Sequence, residues 1–221
     1  MARTNGGKAR PARQISLPHL TDFDADRLEM GRDYDDSLFN DRDFTGQDAS
    51  DSRFLECRME RCCLEGLSMR RTRVADCELD DVYGAGVDFA DSIWRDSEMT
   101  GGRLGAMTLP GATWTGIRLR GIKLGFVNLA GARLEEVVFE ECEIGGLDAR
   151  GAQLNKVAFV DCTVQELNVA EASLSKVDLS GAKLRSLVGV ESLRGAIVSH
   201  EQLLDLAPLF AAQLGVEVRA D

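Results

Sequence analysis

Three kinds of side chain in this 221-residue chain could do chemistry: six cysteines, two histidines and several adjacent carboxylates. Cysteines can hold a metal or pair as disulfides, and a Cys–His or Ser–His–Asp set can build a nucleophile. The spacing works against each. Cys57, Cys62, Cys77, Cys142 and Cys162 recur at multiples of five, and Cys62-Cys63 is adjacent rather than a CxxC pair. Free cysteine behaves as a small apolar filler, and that is the expected role of these five, with Cys63 alone facing outward. His19 and His200 stand near opposite ends of the chain, far from Cys63. Asp80-Asp81 and Glu140-Glu141 would need a pocket to shift a pKa before they could work as acid and base. The expectation is a chain with no catalytic residue, no metal and no cofactor.

The elements that position these residues follow from a period of five. Every fifth residue from Tyr34 to Leu184 is apolar, through Phe39, Phe54, Trp94, Trp114, Leu134 and Phe159, and only Gly84 lacks a side chain. Two residues before each such position i lies a smaller inward one, as at Cys57, Cys62, Leu67, Thr72, Cys77 and Val82. A helix advances about 100° per residue, so five residues leave the stripe about 140° off its face. A strand alternates sides, so a step of five puts the next apolar residue on the wrong face. A chain that points i−2 and i inward and turns a corner at i+1 and i+2 keeps the pattern inside. Glycine recurs at i+2, as at Gly46, Gly66, Gly111, Gly131, Gly146 and Gly181, and Pro110-Gly111 suits the two central positions of a type II turn. Where i+2 is Asp or Glu, a type I-like corner is expected.

The quintets "ATWTG", "IRLRG", "VNLAG", "ARLEE", "VDLSG" and "AKLRS" resemble the pentapeptide-repeat family, and the frame covers residues 32–187. The resemblance implies an all-β solenoid: a right-handed quadrilateral β-helix of about eight coils, four quintets to a coil. Residues twenty apart then lie over one another, Cys57 over Cys77, Cys142 over Cys162, and Trp94 and Trp114 in one inward column. At strand spacing such a rod is about 37 Å long.

The ends break the frame. Residues 1–13, MARTNGGKARPAR, read as a disordered basic arm; no apolar run follows, so neither a signal peptide nor a membrane span is expected, and a cytoplasmic location is. Residues 14–31, with Leu17, Leu20, Phe23 and Leu28 off register, are expected to cap the first coil. The repeat body takes 32–191. Residues 192–221 read as a helical cap: Ser199-His200-Glu201-Gln202 fits a capping box, Gly215 fits a stop, and Pro208 predicts a kink or two short helices. In the antibiotic-resistance members of the family this region makes the homodimer, which implies a cap or dimer role for Leu206, Leu209, Phe210 and Leu214.

Net charge is −11. Sorted by side of the square over residues 32–191, the column with Phe39 and Leu79 carries −6, that with Phe89 −4, that with Trp94 −1 and that with Leu104 +1. The most acidic column displays Glu78, Asp80, Asp81, Glu98, Glu140, Glu141, Asp161 and Asp178, interrupted by Arg118 and Arg120. Resemblance to the fluoroquinolone-protecting and toxin-immunity members implies a DNA mimic that binds DNA gyrase or another type II topoisomerase. Duplex DNA carries about one charge per 1.7 Å, so a rod of about 37 Å would need about 22. The coils offer less than half of that, which makes the mimic partial. The uninterrupted frame also leaves no projecting loops of the kind the plasmid-borne resistance branch carries. The rival reading is a scaffold for another protein, docked on the near-neutral column where Tyr83 and Phe126 stand beside Gly105, Ala106, Gly125, Gly145 and Gly146. Neither reading needs direct contact with nucleic acid or membrane.

Overall fold

The computed structural model describes residues 15–218, and the basic arm at 1–13 lies outside the described residues. The chain winds into a parallel β-solenoid of about nine turns with a single C-terminal helix. Register partners are twenty apart throughout the repeat: Phe54 with Val74, Trp94 with Trp114, Leu119 with Phe139, Ile144 with Val164. A quarter-turn at each quintet turns the i and i−2 side chains inward, and most of them are buried from Tyr34 to Val169, while Ser37, Arg42, Gln47, Leu174 and Leu184 toward the two ends are only partly so. Trp94 and Trp114 share a column with ring centroids 5.6 Å apart, and Phe139 stacks on Phe159 at 4.8 Å.

Three sheets make the walls. The Trp94 face holds eight strands, from Asp33–Asp35 to Ser173–Ser175. The Phe39 face holds ten, because Thr21–Asp22 adds a strand at one end and Ala196–Ile197 at the other. Those two additions account for the excess over the expected eight coils. The third sheet covers the Leu104 face, and from Arg103–Thr108 to Ala182–Val188 its strands run six or seven residues, round the corner into the fourth face.

The corners correct one expectation. Among the described residues all sixteen non-glycine residues with positive φ occupy i+2, among them Asp36, Glu56, Asp76 and Asp96, so acidic corners take the left-handed form and not a type I-like one. The cause is the stacking. The i+2 amide bonds to the next coil whatever its side chain: Asp36 to the Leu55 carbonyl at 3.1 Å, Glu56 to Ala75 at 3.0 Å, Gly116 to Glu135 at 2.9 Å. Left-handed backbone costs an L-residue about 1–2 kcal/mol, while an unpaired buried amide costs about 1–3 kcal/mol. Keeping the ladder wins. Conversely, Gly146 lies inside the strand Glu143–Asp148, and neither it nor Gly181 has positive φ. Gly181 is needed for a different reason, since a Cβ there would stand 2.3 Å from the Phe159 carbonyl oxygen.

Gly84 is a dent. Its φ is +141° and a Cβ would meet the Glu65 amide nitrogen at 2.6 Å, so the chain presses on the coil below and the strand breaks after Tyr83–Gly84. At the N-terminal end Phe23 packs on Phe39 at 4.6 Å, and the Leu28 amide donates to Gln47 Oε1. At the other end one continuous helix spans His200–Gln213, with Pro208 inside it, in place of two short helices. Proline frees the carbonyl four residues back, which belongs to Leu204, a residue 62 % exposed. The capping box forms: Ser199 Oγ accepts from the Gln202 amide and Gln202 Oε1 from the Ser199 amide.

Candidate functional site

Charged side chains on this rod pair across coils, because residues about twenty apart are neighbours. Arg61 holds Asp41 with two bonds of 2.8 and 2.9 Å, and Arg71 holds Asp51 with two of 2.7 Å. Each guanidinium keeps its carboxyl below the usual carboxylate range. Arg70 meets Asp88 at 2.7 Å, Arg53 meets Asp35 at 2.9 Å, and Arg58 pairs with Glu78.

The eight acidic residues read from the sequence fall into separate groups. Glu78, Asp80 and Asp81 lie together, with Glu98 one coil on in register with Glu78. Burial pushes the Asp80 carboxyl up. Glu140 stands three coils beyond Asp80, past Thr100 and Arg120 in the same row, and Arg118 and Arg120 approach Glu140 and Glu141 at 3.7 Å. Asp161 occupies the corner after Glu141 in that stack, and Asp178 accepts from the Ser180 amide and hydroxyl.

Another set is more continuous. Asp36, Glu56, Asp76 and Asp96 stack at successive turns of the corner between the Trp94 and Phe39 faces, and none of them has an ion pair among the described residues. Sorting by pentapeptide hides this ladder, because Arg32, Arg53, Arg73 and Arg95 lie in the same quintets and cancel the count. Sorting by i+2 position reveals it. Higher up, the same ladder continues through Gly116 and Glu136 to Lys156 and Lys176, which take the same positive φ.

The cysteines do more than fill space. Cys57, Cys62, Cys77, Cys142 and Cys162 are buried, free and aimed at backbone carbonyls two and twenty-three residues earlier: Cys57 Sγ reaches Leu55 O at 3.3 Å and Tyr34 O at 3.2 Å. Cys63 is partly exposed. The stacked neighbour thiol and burial push the Cys77 and Cys142 thiols up, so they stay protonated at neutral pH. Among the described residues no group of three or more His, Cys, Asp or Glu is placed to hold a metal. Two open troughs run along the walls. One of about 470 Å³ lies on the Trp94 face between the Thr113–Arg133 and Thr115–Glu135 rows; the other, of about 350 Å³, lies on the Leu104 face beside Arg103 and Lys123. In the C-terminal helix Leu206 alone is buried, Phe210 is half-buried, and Leu209 and Leu214 are exposed.

The family description "Pentapeptide repeats" matches residues 117–155 in eight copies, and the same five-residue frame continues on both sides of that window through the stacked coils. That stretch is made of pentapeptide repeats. The chain is similar to HetL, a pentapeptide repeat protein involved in heterocyst differentiation regulation from the cyanobacterium Nostoc sp. strain PCC 7120, at 15% identity over 76% of this chain and 90% of that one, with a TM-score of 0.33. It is similar also to full-length QnrB1, a plasmid-mediated fluoroquinolone resistance protein, at 17% identity over 86% and 95%, with a TM-score of 0.36. At such values the assignment rests on the repeat itself. No curated protein matches the chain in sequence.

Proposed function

We propose that this protein is a non-catalytic, cytoplasmic docking rod whose first coils imitate duplex DNA toward a type II topoisomerase, with DNA gyrase the first candidate. One observation carries the reading. Residues 32–98 hold eighteen acidic and nine basic side chains, a net −9. At about 4.8 Å per coil they occupy about 16 Å of rod, or about one charge per 1.8 Å. Duplex DNA carries about one per 1.7 Å. The average over the whole rod falls short because the remaining coils dilute it. The unpaired ladder Asp36, Glu56, Asp76 and Asp96 adds a row of carboxylates free to meet a basic surface. Complementary potential of this kind steers association and weakens with salt.

The test is a gyrase supercoiling assay with the full chain and with the double variant Asp76→Lys, Asp96→Lys. Lys156 and Lys176 occupy the same ladder with the same backbone, so lysine is accommodated there. The expected result is inhibition by the natural chain and at least about a tenfold loss of potency in the variant, as for two lost charge-assisted contacts. If the natural chain alters neither supercoiling nor quinolone-stabilised cleavage, the topoisomerase is not the partner, and a scaffold for another protein takes its place.

The same reading joins two rods through the C-terminal helix. Leu203, Leu204 and Leu209 lie exposed on it and Leu214 at its C-terminal end, apolar side chains that a second copy would cover. Leu204→Glu, Leu209→Glu should sediment as a monomer where the natural chain sediments as a dimer; a monomeric natural chain removes this part of the proposal.

A further inference from the structure

Between the two acidic ends of the rod lies a stretch of opposite sign. Residues 99–134 contain no Asp or Glu and five cations, Arg103, Arg118, Arg120, Lys123 and Arg133. With twenty residues to a coil, this stretch wraps nearly twice round the solenoid and forms a basic belt.

The belt's cations are poorly neutralised. Earlier coils pair Arg61, Arg70 and Arg71 with carboxylates at 2.7–2.8 Å. In the belt, Arg118 and Arg120 find carboxylates only at 3.7 Å, and Lys123 reaches Glu143 at 3.4 Å with both side chains exposed. Arg103 and Arg133 have no ion pair among the described residues. Arg103 and Lys123 are also register partners, so two like charges stand one strand apart. Such a pair is unfavourable, and of the two only Lys123 has a carboxylate beside it, Glu143 on the next coil.

Arg103, Lys123 and, beyond them, Glu143 form one wall of the trough on the Leu104 face, which passes over Gly125 and Gly145. Its floor is bare backbone, for a Cβ on Gly125 would stand 2.2 Å from the Gly105 carbonyl oxygen. Three residues beyond Lys123 on the same strand is Phe126, 45 % exposed, with its ring over Gly146. Tyr83, half-exposed, is the register partner of Arg103 on the preceding coil.

We propose that this trough binds a nucleotide, its phosphates held between Arg103 and Lys123 and its base reaching over the trough's edge to Phe126, which stands just outside it on the same strand. Guanidinium and ammonium groups match phosphate oxygens, and an exposed aromatic face stacks a base whatever its identity. The glycine floor lets a flat ring approach the backbone closely. The belt is about two coils, or about 10 Å, wide, close to the Debye length of about 8 Å at physiological salt. A strand running lengthwise would soon meet repelling carboxylates, so the ligand is compact or crosses the rod. A free nucleotide and one nucleotide of a single strand share this chemistry.

This inference is independent of the topoisomerase reading, and its test uses no topoisomerase. The full chain is titrated calorimetrically at low salt with ADP, inorganic pyrophosphate, a short oligothymidylate and polyglutamate. ADP or the oligonucleotide should bind, with affinity falling as salt rises. Arg103→Ala, Lys123→Ala should weaken that ligand and pyrophosphate about tenfold or more. Phe126→Ala should weaken the nucleotide about tenfold and leave pyrophosphate unchanged, as loss of a stacking face requires. Preference for ADP assigns a free nucleotide, and preference for oligothymidylate assigns a strand. All three side chains are exposed, and unchanged thermal melting confirms that the variants fold. Binding of neither nucleotide, binding indifferent to these substitutions, or capture of polyglutamate instead overturns the proposal.

Discussion

The thiol of Cys77 accepts a hydrogen bond from the Cys57 amide at 3.4 Å, one coil away. The next residue in that column repeats the bond with a hydroxyl, for Ser97 Oγ accepts from the Cys77 amide at 3.1 Å and donates to Arg95 O at 2.7 Å. The small inward slot is therefore partly a hydrogen-bonding position. Cys77→Ser should cost less than Cys77→Ala, because serine keeps the acceptor. Alanine leaves the Cys57 amide unpaired and a small void, a loss of about 1–3 kcal/mol. Urea unfolding of the two variants checks the order, and equal losses would reduce the slot to packing alone.

Two glycines four residues apart, Gly121 at a corner and Gly125 inside a strand, separate backbone conformation from close approach. Gly121 has φ +62° with open space around it, so Gly121→Ala should cost about 1–2 kcal/mol, the usual charge for left-handed backbone. Gly125→Ala drives a Cβ into the Gly105 carbonyl and should cost more than that, since backbone must move. Denaturation midpoints measure both, and a milder Gly125→Ala would show that the wall can part without loss.

Asp80 yields a signed prediction in pH. Burial raises its folded pKa above the unfolded value of about 3.9. The folded chain thus holds the proton more tightly, and the ionised carboxyl subtracts stability once pH exceeds the folded pKa. Asp80→Asn should melt higher than the natural chain at pH 7, with the gain vanishing below about pH 4. Thermal melting across that range decides it; a variant less stable at pH 7 would mean that the carboxylate makes a favourable contact.

The side-chain amide of Gln202 donates to the Leu179 and Ala182 carbonyls, each at 2.7 Å, while its oxygen completes the capping box. One residue thus starts the helix and ties it to the last coil. Gln202→Ala should lower stability by about 1–2 kcal/mol and raise hydrogen exchange in the helix before the coils. Uniform exchange along the whole rod would contradict a local tie.

Much of this was legible in the residues. The period of five excludes helix and flat strand, so the inward positions, the Trp94–Trp114 column and the helix cap at Ser199 could be read directly. The acidic corners could not: the local preference of Asp and Glu favours an ordinary turn, and only the ladder to the next coil makes left-handed backbone the cheaper state. Pro208 likewise stays inside a helix, at a place where Leu204, whose carbonyl it leaves without a helical partner, is exposed.

Spacing by itself determined the inward positions and the corner at each quintet, since a hydrophobic period is a local property of the chain, and the resemblance carried by those quintets implied four sides to the coil. The tertiary structure decided which charges meet. Stacking at twenty residues neutralises Arg61 with Asp41, leaves Asp36, Glu56, Asp76 and Asp96 as an open ladder, and sets Arg103 beside Lys123 over bare glycine. A charge acts through distance in space, and only the stacked coils set that distance.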